Sequence, residues 1–428
     1  MPHVYKARWR DRACFHECGS SLVLCFLTVG IIMAEGCLKD EISEAVLKVS
    51  KGSAQFTTNV YKVLSSKDGN IFISPLSVEV VLALAYMGAA GSTAKQIASA
   101  LYLPPDREDI KAGFAEILGS LKSTGSLTLE IANKIFSQSG FEILSEYKAI
   151  AKDSFLSGAE ELDFSDSEPS RNIINSWVEK ETRNKIRDLI PSGLLDETTR
   201  LVLVNAVYFK GLWEKQFSAD KTKPDKFHLN SRENKEIPMM HKTANFGYLE
   251  SEELRAAILE MPYQDRNISM FIILPHDIDG ISELEKKLAT ADLSTVLKNI
   301  PTREVRVSIP KFKLEETISF NDILKQLGMT SMFSAKEADF SGISGTRELF
   351  VSSVMQKTFI EVNEGGSEAA AATAGVIRVE RSLLSRETYE FIANHPFIFT
   401  IHEKETDLKM FIGRFAEPTG GFVHHEEL

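Results

Sequence analysis

A chain of 428 residues with 43% apolar and 25% charged residues can bury a large core, and its composition excludes the disordered and fibrous classes. Its 60 acidic and 49 basic residues give a formal charge of −11 spread along the chain, which excludes the basic footprint of a nucleic-acid binder and reads as a solvated surface. No Pro/Gly/Ser-rich linker, low-complexity tract or internal repeat divides the chain, so one large domain is expected over residues 37–428.

At the N-terminus, Lys6, Arg8, Arg10 and Arg12 precede a largely apolar run from Leu22 to Met33, and Ala34-Glu35-Gly36 offers small residues at both cleavage-determining positions. The pattern predicts a signal peptide over residues 1–36. The run is too short to cross a bilayer core of about 30 Å, so a removed signal is expected and not a membrane anchor. A start at Met33, giving a cytoplasmic product, is the alternative. Cys14, Cys18, Cys25 and Cys37 all lie before or at the proposed cleavage point, so a chain starting at Cys37 is held by its core and not by internal disulfides.

Apolar residues recur at helical spacing from Leu38 to Ser65, and Asn70-Ile71-Phe72-Ile73-Ser74-Pro75 reads as a short strand ended by proline. Ser77 is placed to cap a following helix that is apolar all round from Val80 to Met87 and therefore buried. Helical patterns over Asp106–Lys122, Ser145–Leu156 and Pro169–Leu189 then give way to an apolar strand, Leu201–Phe209. Beyond Lys226 strands dominate: Arg255–Met261, Ile268–Leu274, Glu304–Ile309, Thr358–Val362, Phe397–His402 and Lys409–Phe415. Non-local pairing of this kind predicts an α+β fold.

Several stretches resemble the serpin family, and the resemblance covers essentially the whole chain from about residue 44 to Pro418. Ser74-Pro75-Leu76-Ser77 resembles its early signature, Asn205-Ala206-Val207-Tyr208-Phe209-Lys210-Gly211-Leu212-Trp213 its mid-chain strand and tryptophan, and Phe391-Ile392-Ala393-Asn394-His395-Pro396-Phe397-Ile398-Phe399 its C-terminal signature. The most specific stretch is Asn363-Glu364-Gly365-Gly366-Ser367-Glu368 followed by Ala369 to Gly375, which resembles the hinge of inhibitory members. The resemblance implies a large central, mostly antiparallel sheet with additional sheets, about eight to nine helices and an exposed reactive-centre loop over about residues 364–390. It further implies a suicide-substrate inhibitor of serine proteases, whose cleaved loop inserts into the main sheet as a new strand.

An inserting strand sends alternate side chains into the core, so those must be small and uncharged, and Ser367, Ala369, Ala371 and Thr373 are. In isolation, four consecutive alanines favour a helix; the Gly365-Gly366 pair and the β-branched run after Gly375 argue for a loop. By the resemblance Glu364 and Gly366 belong to the hinge, Glu364 pairs with Lys311, Ser74, Ser77 and Asn205 form a polar cluster under the sheet, and Trp213 packs where the loop enters. Gln356 stands where many members carry histidine.

Family spacing places the cleaved bond at Glu380–Arg381, or one residue on at Arg381–Ser382. The second is preferred because arginine suits an acidic specificity pocket and serine leaves without hindrance. Arg378 and Arg381 form an Arg-x-x-Arg pattern resembling furin-like convertase sites, so the expected partner is a serine protease of basic specificity, trypsin-like or a proprotein convertase. His425-Glu426-Glu427-Leu428 is one acidic substitution from an ER-retrieval address, so secretion or residence in the ER lumen is expected. Asn267-Ile268-Ser269 is a glycosylation sequon.

No metal-spaced His/Cys set, P-loop or Gly-x-Ser-x-Gly elbow points to an enzyme. Neither a metal nor a heparin-type cofactor is expected, and the protein should act as a monomer without nucleic-acid or membrane partners. The rival within the family is a non-inhibitory chaperone or carrier, whose hinge would carry charged, bulky or proline residues at the inward positions.

Overall fold

The computed structural model describes residues 42–121, 127–264, 267–366 and 388–418. The expected signal peptide and the tail residues His425-Glu426-Glu427-Leu428 lie outside the described residues. Helix α1 (Glu44–Leu64) starts where the Ser43 hydroxyl accepts the Val46 N–H at 3.2 Å, and it turns Val46, Val49, Phe56, Val60 and Leu64 inward. Strand β1 (Ile71–Ile73) leads into helix α2 (Pro75–Met87), all of whose residues are buried. The cap of α2 is Ser74 and not Ser77: the Ser74 hydroxyl accepts the Ser77 N–H, and Pro75 takes the first helical position, where a missing N–H leaves nothing unpaired. Ser77 stands inside the helix and turns its hydroxyl to the sheet.

Helices α3 (Gly91–Ala100) and α4 (Arg107–Ser120) lead to strand β2 (Leu127–Gln138), and α5 (Ser145–Phe155), β3 (Gly158–Leu162) and α6 (Ser167–Glu181) follow. The helical period of the sequence runs on to Leu189, but α6 stops eight residues earlier. There Thr182 accepts the Ile186 N–H through its hydroxyl at 3.1 Å, and Arg183 and Asn184 take φ of 51° and 61°. Ile186, Leu189 and Ile190 then pack on the sheet as loop residues, which keeps the helix-like apolar spacing without a helix.

Strand β4 (Leu201–Gly211) precedes a run of strands, β5 (Lys223–His228), β6 (Asn234–Ser251), β7 (Ala256–Pro262) and β8 (Ile268–Pro275). Helices α7 (Ile281–Leu288) and α8 (Leu293–Lys298) come before β9 (Thr302–Pro310) and β10 (Phe312–Ser319). The chain continues through α9 (Asn321–Gln326), α10 (Ser341–Ser344), β11 (Val351–Val362), β12 (Tyr389–Ile392), β13 (Phe397–Glu403) and β14 (Leu408–Phe415). Among the described residues the ten α-helices include α9 and α10, of six and four residues.

Two sheets carry the fold. The first has nine strands, in the order β1-β14-β13-β8-β7-β6-β9-β12 with β5 added on β6, and is antiparallel except at β9–β12. The second is five-stranded, β10-β11-β4-β2-β3, and mixed: β11–β4 and β2–β3 are parallel, β10–β11 and β2–β4 antiparallel. An aromatic seam joins the sheets. The Phe411 ring of β14 stacks on Phe72 at 5.4 Å and meets Phe209 of β4 edge-on at 5.4 Å.

Phe411 is 0% exposed and touches both sheets. Phe411→Ala should cost about 3–5 kcal/mol, read as a shift of the first denaturant-unfolding midpoint.

Candidate functional site

The five-stranded sheet is built around the parallel pair β4–β11, which opens with Val351 opposite Leu201, bulges at Ser352 and then runs in register from Ser353 opposite Val202 to Ile360 opposite Phe209. At its middle Gln356 stands opposite Asn205, and the two are joined side chain to side chain, Gln356 Nε2 donating to Asn205 Oδ1 at 2.6 Å. The same Nε2 donates to the Ser74 carbonyl at 2.9 Å, and Gln356 Oε1 accepts the Ser74 N–H at 3.2 Å. The Asn205 amide donates to Ser77 Oγ and to Asn133 Oδ1, while the Ser74 hydroxyl donates to the Met410 carbonyl at 2.8 Å. This cluster therefore ties α2 to β2, β4, β11 and β14. All five residues are buried, from 0% exposure at Ser77 and Asn205 to 4% at Asn133. Such a cluster resists parting because each separated group would be left unpaired in an apolar core.

At the top of the pair the chain leaves β11 through a two-residue turn. Asn363 and Gly366 exchange N–H···O bonds of 2.7 and 3.1 Å, so the backbone has already reversed at Gly366. Gly366 also bridges Leu212, beyond the end of β4, in antiparallel fashion. One residue thus stands between the continuations of β4 and β11, antiparallel to both. Its φ is +129°, and a Cβ there would lie 2.0 Å from the Gly211 carbonyl oxygen, so both conformation and space require glycine.

Trp213 closes the turn from the other side. Its indole N–H donates to the Asn363 carbonyl at 3.0 Å, its backbone N–H to the Gly365 carbonyl at 2.9 Å, and its ring stacks on Tyr263 at 4.5 Å. Glu364 is fastened at three points: its carbonyl accepts the Phe217 N–H at 2.8 Å, and its carboxylate accepts the Thr222 hydroxyl at 2.8 Å and faces Lys311 at 3.1 Å. Burial works to raise the pKa of this carboxyl, but its own backbone N–H, Thr222 and Lys311 outweigh it and hold the group below the usual glutamate range.

The structure brings together Ser74, Ser77 and Asn205 in the middle of the sheet, and Glu364, Gly366, Trp213 and Lys311 at its top. The inward hinge residues Ser367, Ala369, Ala371 and Thr373, the cleaved-bond candidates Glu380, Arg381 and Ser382, and the subsite candidate Arg378 lie outside the described residues. Asn133, Thr222 and Asn363 belong to the site and were not singled out from the sequence. Asn133 carries a legible signal, an amide on the buried phase of β2 between Ala132 and Ile135. Thr222 has only its tertiary partner Glu364 to mark it, and Asn363, which opens the hinge stretch, shows its part in the turn only through its exchange with Gly366. Asn267 is exposed at the start of β8, while the Ser269 hydroxyl of its sequon is buried and donates to Glu260 at 2.9 Å.

Two outcomes follow for the hinge. Gly366→Ala should weaken the turn by about 1 kcal/mol or more, because the methyl must displace backbone, and should speed loss of the native band on mild heating, followed on native gels. Since the Glu364 carboxyl is depressed in the folded state, its stabilisation is complete above the unfolded value of about 4.3 and disappears as pH falls through the lower folded value. Glu364→Gln should therefore cost on the order of 1 kcal/mol at pH 7 and nothing below the folded value, read from denaturation midpoints at both pH values.

Residues 51–418 match the model of the family described as Serpin (serine protease inhibitor). The leukocyte elastase inhibitor of Equus caballus is 37% identical over 381 residues, covering 87% of this chain and 100% of that protein. Ipis-1 of Ixodes persulcatus is 41% identical over 369 residues, covering 85% and 97%. Among solved structures, Serpin48 of the insect Tenebrio molitor superposes with a TM-score of 0.80 at 34% identity, covering 89% of this chain and 100% of its own. With a mixed central sheet whose middle pair is closed, a glycine hinge at its top and these relatives along its length, the chain belongs to the serpin family.

Proposed function

We propose that this protein is a single-use inhibitor of serine proteases with basic specificity, cleaved at Arg381–Ser382 and acting by insertion of its loop between β4 and β11. The observation that carries this reading is Gly366, already seated as an antiparallel rung between the ends of those two strands. Continued downward, the same register sets Ser367 opposite Val362 and Gly211, Ala369 opposite Ile360 and Phe209, Ala371 opposite Thr358 and Val207, and Thr373 opposite Gln356 and Asn205. In-register neighbours share a face, so these four side chains turn toward the core. Ile360, Phe209, Thr358 and Val207 are each 0–1% exposed, which leaves room for nothing larger than serine, alanine or threonine beside them.

The protease serine attacks the Arg381 carbonyl carbon, the peptide bond to Ser382 breaks, and the new amine of Ser382 leaves while Arg381 stays esterified to the enzyme. Insertion then exchanges one parallel ladder for two antiparallel ones, adding about 1 kcal/mol per net hydrogen bond, or on the order of 10 kcal/mol over the strand. That is comparable with a domain's whole stability and suffices to drag and distort the acylated protease. Arg381 favours an acidic specificity pocket, trypsin-like or, with Arg378, furin-like, in contrast to what the name of the leukocyte elastase inhibitor says of that relative's target. The N-terminal pattern and the His425-Glu426-Glu427-Leu428 tail favour a place in the secretory pathway, with Asn267 as its glycosylation site.

Incubated with trypsin and separately with furin, the protein should give an SDS-stable complex and a released fragment beginning at Ser382. Arg381→Ala should abolish complex formation with either enzyme, and Ser367→Arg should leave the fold intact but turn the protein into a cleaved substrate. Trapping that persists in Ser367→Arg would overturn the insertion mechanism.

A further inference from the structure

Helix α2 carries a second buried polar feature that the inhibitory site does not use. Glu79 is 0% exposed, and neither of its carboxyl oxygens has a hydrogen-bond partner. Across the α1–α2 contact, α1 turns Ser50, Ser53 and Thr57 inward at helical spacing, each 1–6% exposed and each with an unpartnered hydroxyl oxygen. Four buried polar side chains without partners, three over two turns of α1 and one on α2, are a costly arrangement for a core, and an ionised carboxylate there would be costlier still.

Helix α2 packs against α1, α3, α4, α5, β2, β4 and β14. The titratable or charged side chains buried on those elements are Tyr61 of α1, Tyr147 of α5, Tyr208 of β4, and Lys409 and Arg414 of β14. Each is committed elsewhere: Tyr61 donates to Glu285 at 3.0 Å, Tyr147 to the Leu84 carbonyl at 2.9 Å, Lys409 to Ser294 at 3.2 Å and Arg414 to Glu285 at 2.8 Å. Tyr208 packs on Phe359, on the face of the sheet turned away from α2, as does the half-buried Lys134 of β2, which is paired with Glu160. Among the described residues no cation stands ready to neutralise Glu79, and the Ser53 hydroxyl, near it but not hydrogen-bonded to it, favours the charged form too little to offset burial.

We propose that Glu79 is a proton-held latch: neutral, it lets α1 close on α2, and ionised, it parts that contact and loosens the β4–β11 pair, which α2 holds at Asn205 through Ser77 and at Gln356 through its cap Ser74. Burial pushes this carboxyl up to about 8, against an ordinary value of 4.5. For an acid raised in the closed form, the advantage of closure is full below the ordinary value and shrinks as pH rises. It is lost at about tenfold per pH unit until the closed form itself ionises near pH 8, above which the loss is constant. The sheet should therefore open more readily in mildly alkaline surroundings than in acidic ones. This inference rests on the insertion reading only for what the opening is used for, because the opening itself needs no protease.

The test is backbone amide exchange by mass spectrometry on β4 and β11, from pH 5 to pH 9 and corrected for the intrinsic pH dependence of exchange, in the native protein and in Glu79→Gln. Opening in the native protein should rise by up to about tenfold per pH unit and level off near pH 8, and Glu79→Gln should be flat across the range. Identical profiles in the two proteins would overturn the latch, and a protein that shows the latch but traps no protease would overturn only the function proposed above. Should Glu79→Gln fail to fold, infrared titration of the native protein decides: a buried protonated carboxyl that disappears between pH 7 and pH 9 supports the latch, and a carboxyl already ionised at pH 6 overturns it.

Discussion

The pairing of β4 with β11 is the constraint on which the rest depends. Two long central strands run parallel, in register from Ser353 to Ile360, with Gln356 and Asn205 joined across the pair. Parallel strands are the weaker partnership per residue, and neither strand here has an exposed edge, so this is the place where a mixed sheet can exchange a poorer ladder for better ones. Beneath it a helix buried all round, α2, contributes Ser77 and its cap Ser74 to the lock, and above it a glycine turn holds the entrance. Closure is thus a property of a few hydrogen bonds set in a large apolar core, and not of the core itself.

Much of this could be read from the chain. The apolar run after Ser74 and Pro75 announced a buried helix, and Leu201–Phe209 a central strand, because uninterrupted apolar character means burial on both faces. What misled was local chemistry with two solutions. Ser77 and Ser74 are both capping residue types, and only the position of Pro75 at the first helical residue, where its missing N–H does no harm, decides between them. The apolar period that continued past Thr182 was packing without helix, a distinction that left-handed backbone at Arg183 and Asn184 makes and periodicity cannot. Strand β11 began seven residues before Thr358 because Ser352, Ser353, Gln356 and Lys357 look like loop residues until their tertiary partners are known.

The candidate site was legible to differing depths for the same reason. Residues whose role follows from their own shape, such as Gly366 and the small hinge positions, stand out in the sequence. Residues whose role lies in a partner, such as Asn133 holding Ser77 and Asn205, or Thr222 holding Glu364, do not. Glu79 is an intermediate case: a glutamate in an otherwise apolar helix is conspicuous, but only the packing around it tells a buried acid from a surface one.

The turn at Asn363 and Gly366 also works as a ruler. Because it fixes which residue opposes which, strand β11, twelve residues long from Val351 to Val362, would offer partners to residues 367–378 and no further if the loop inserts as proposed. A strand of that length spans roughly 40 Å, about the full height of the sheet. Arg378 would be the last residue on the ladder, and Arg381 would follow on a tether of Val379 and Glu380. In the proposed mechanism, cleavage one bond earlier would shorten that tether by a residue and bring a captured enzyme closer to the lower rim, so the choice of scissile bond would set the mechanical load on the enzyme as well as the chemistry of its capture.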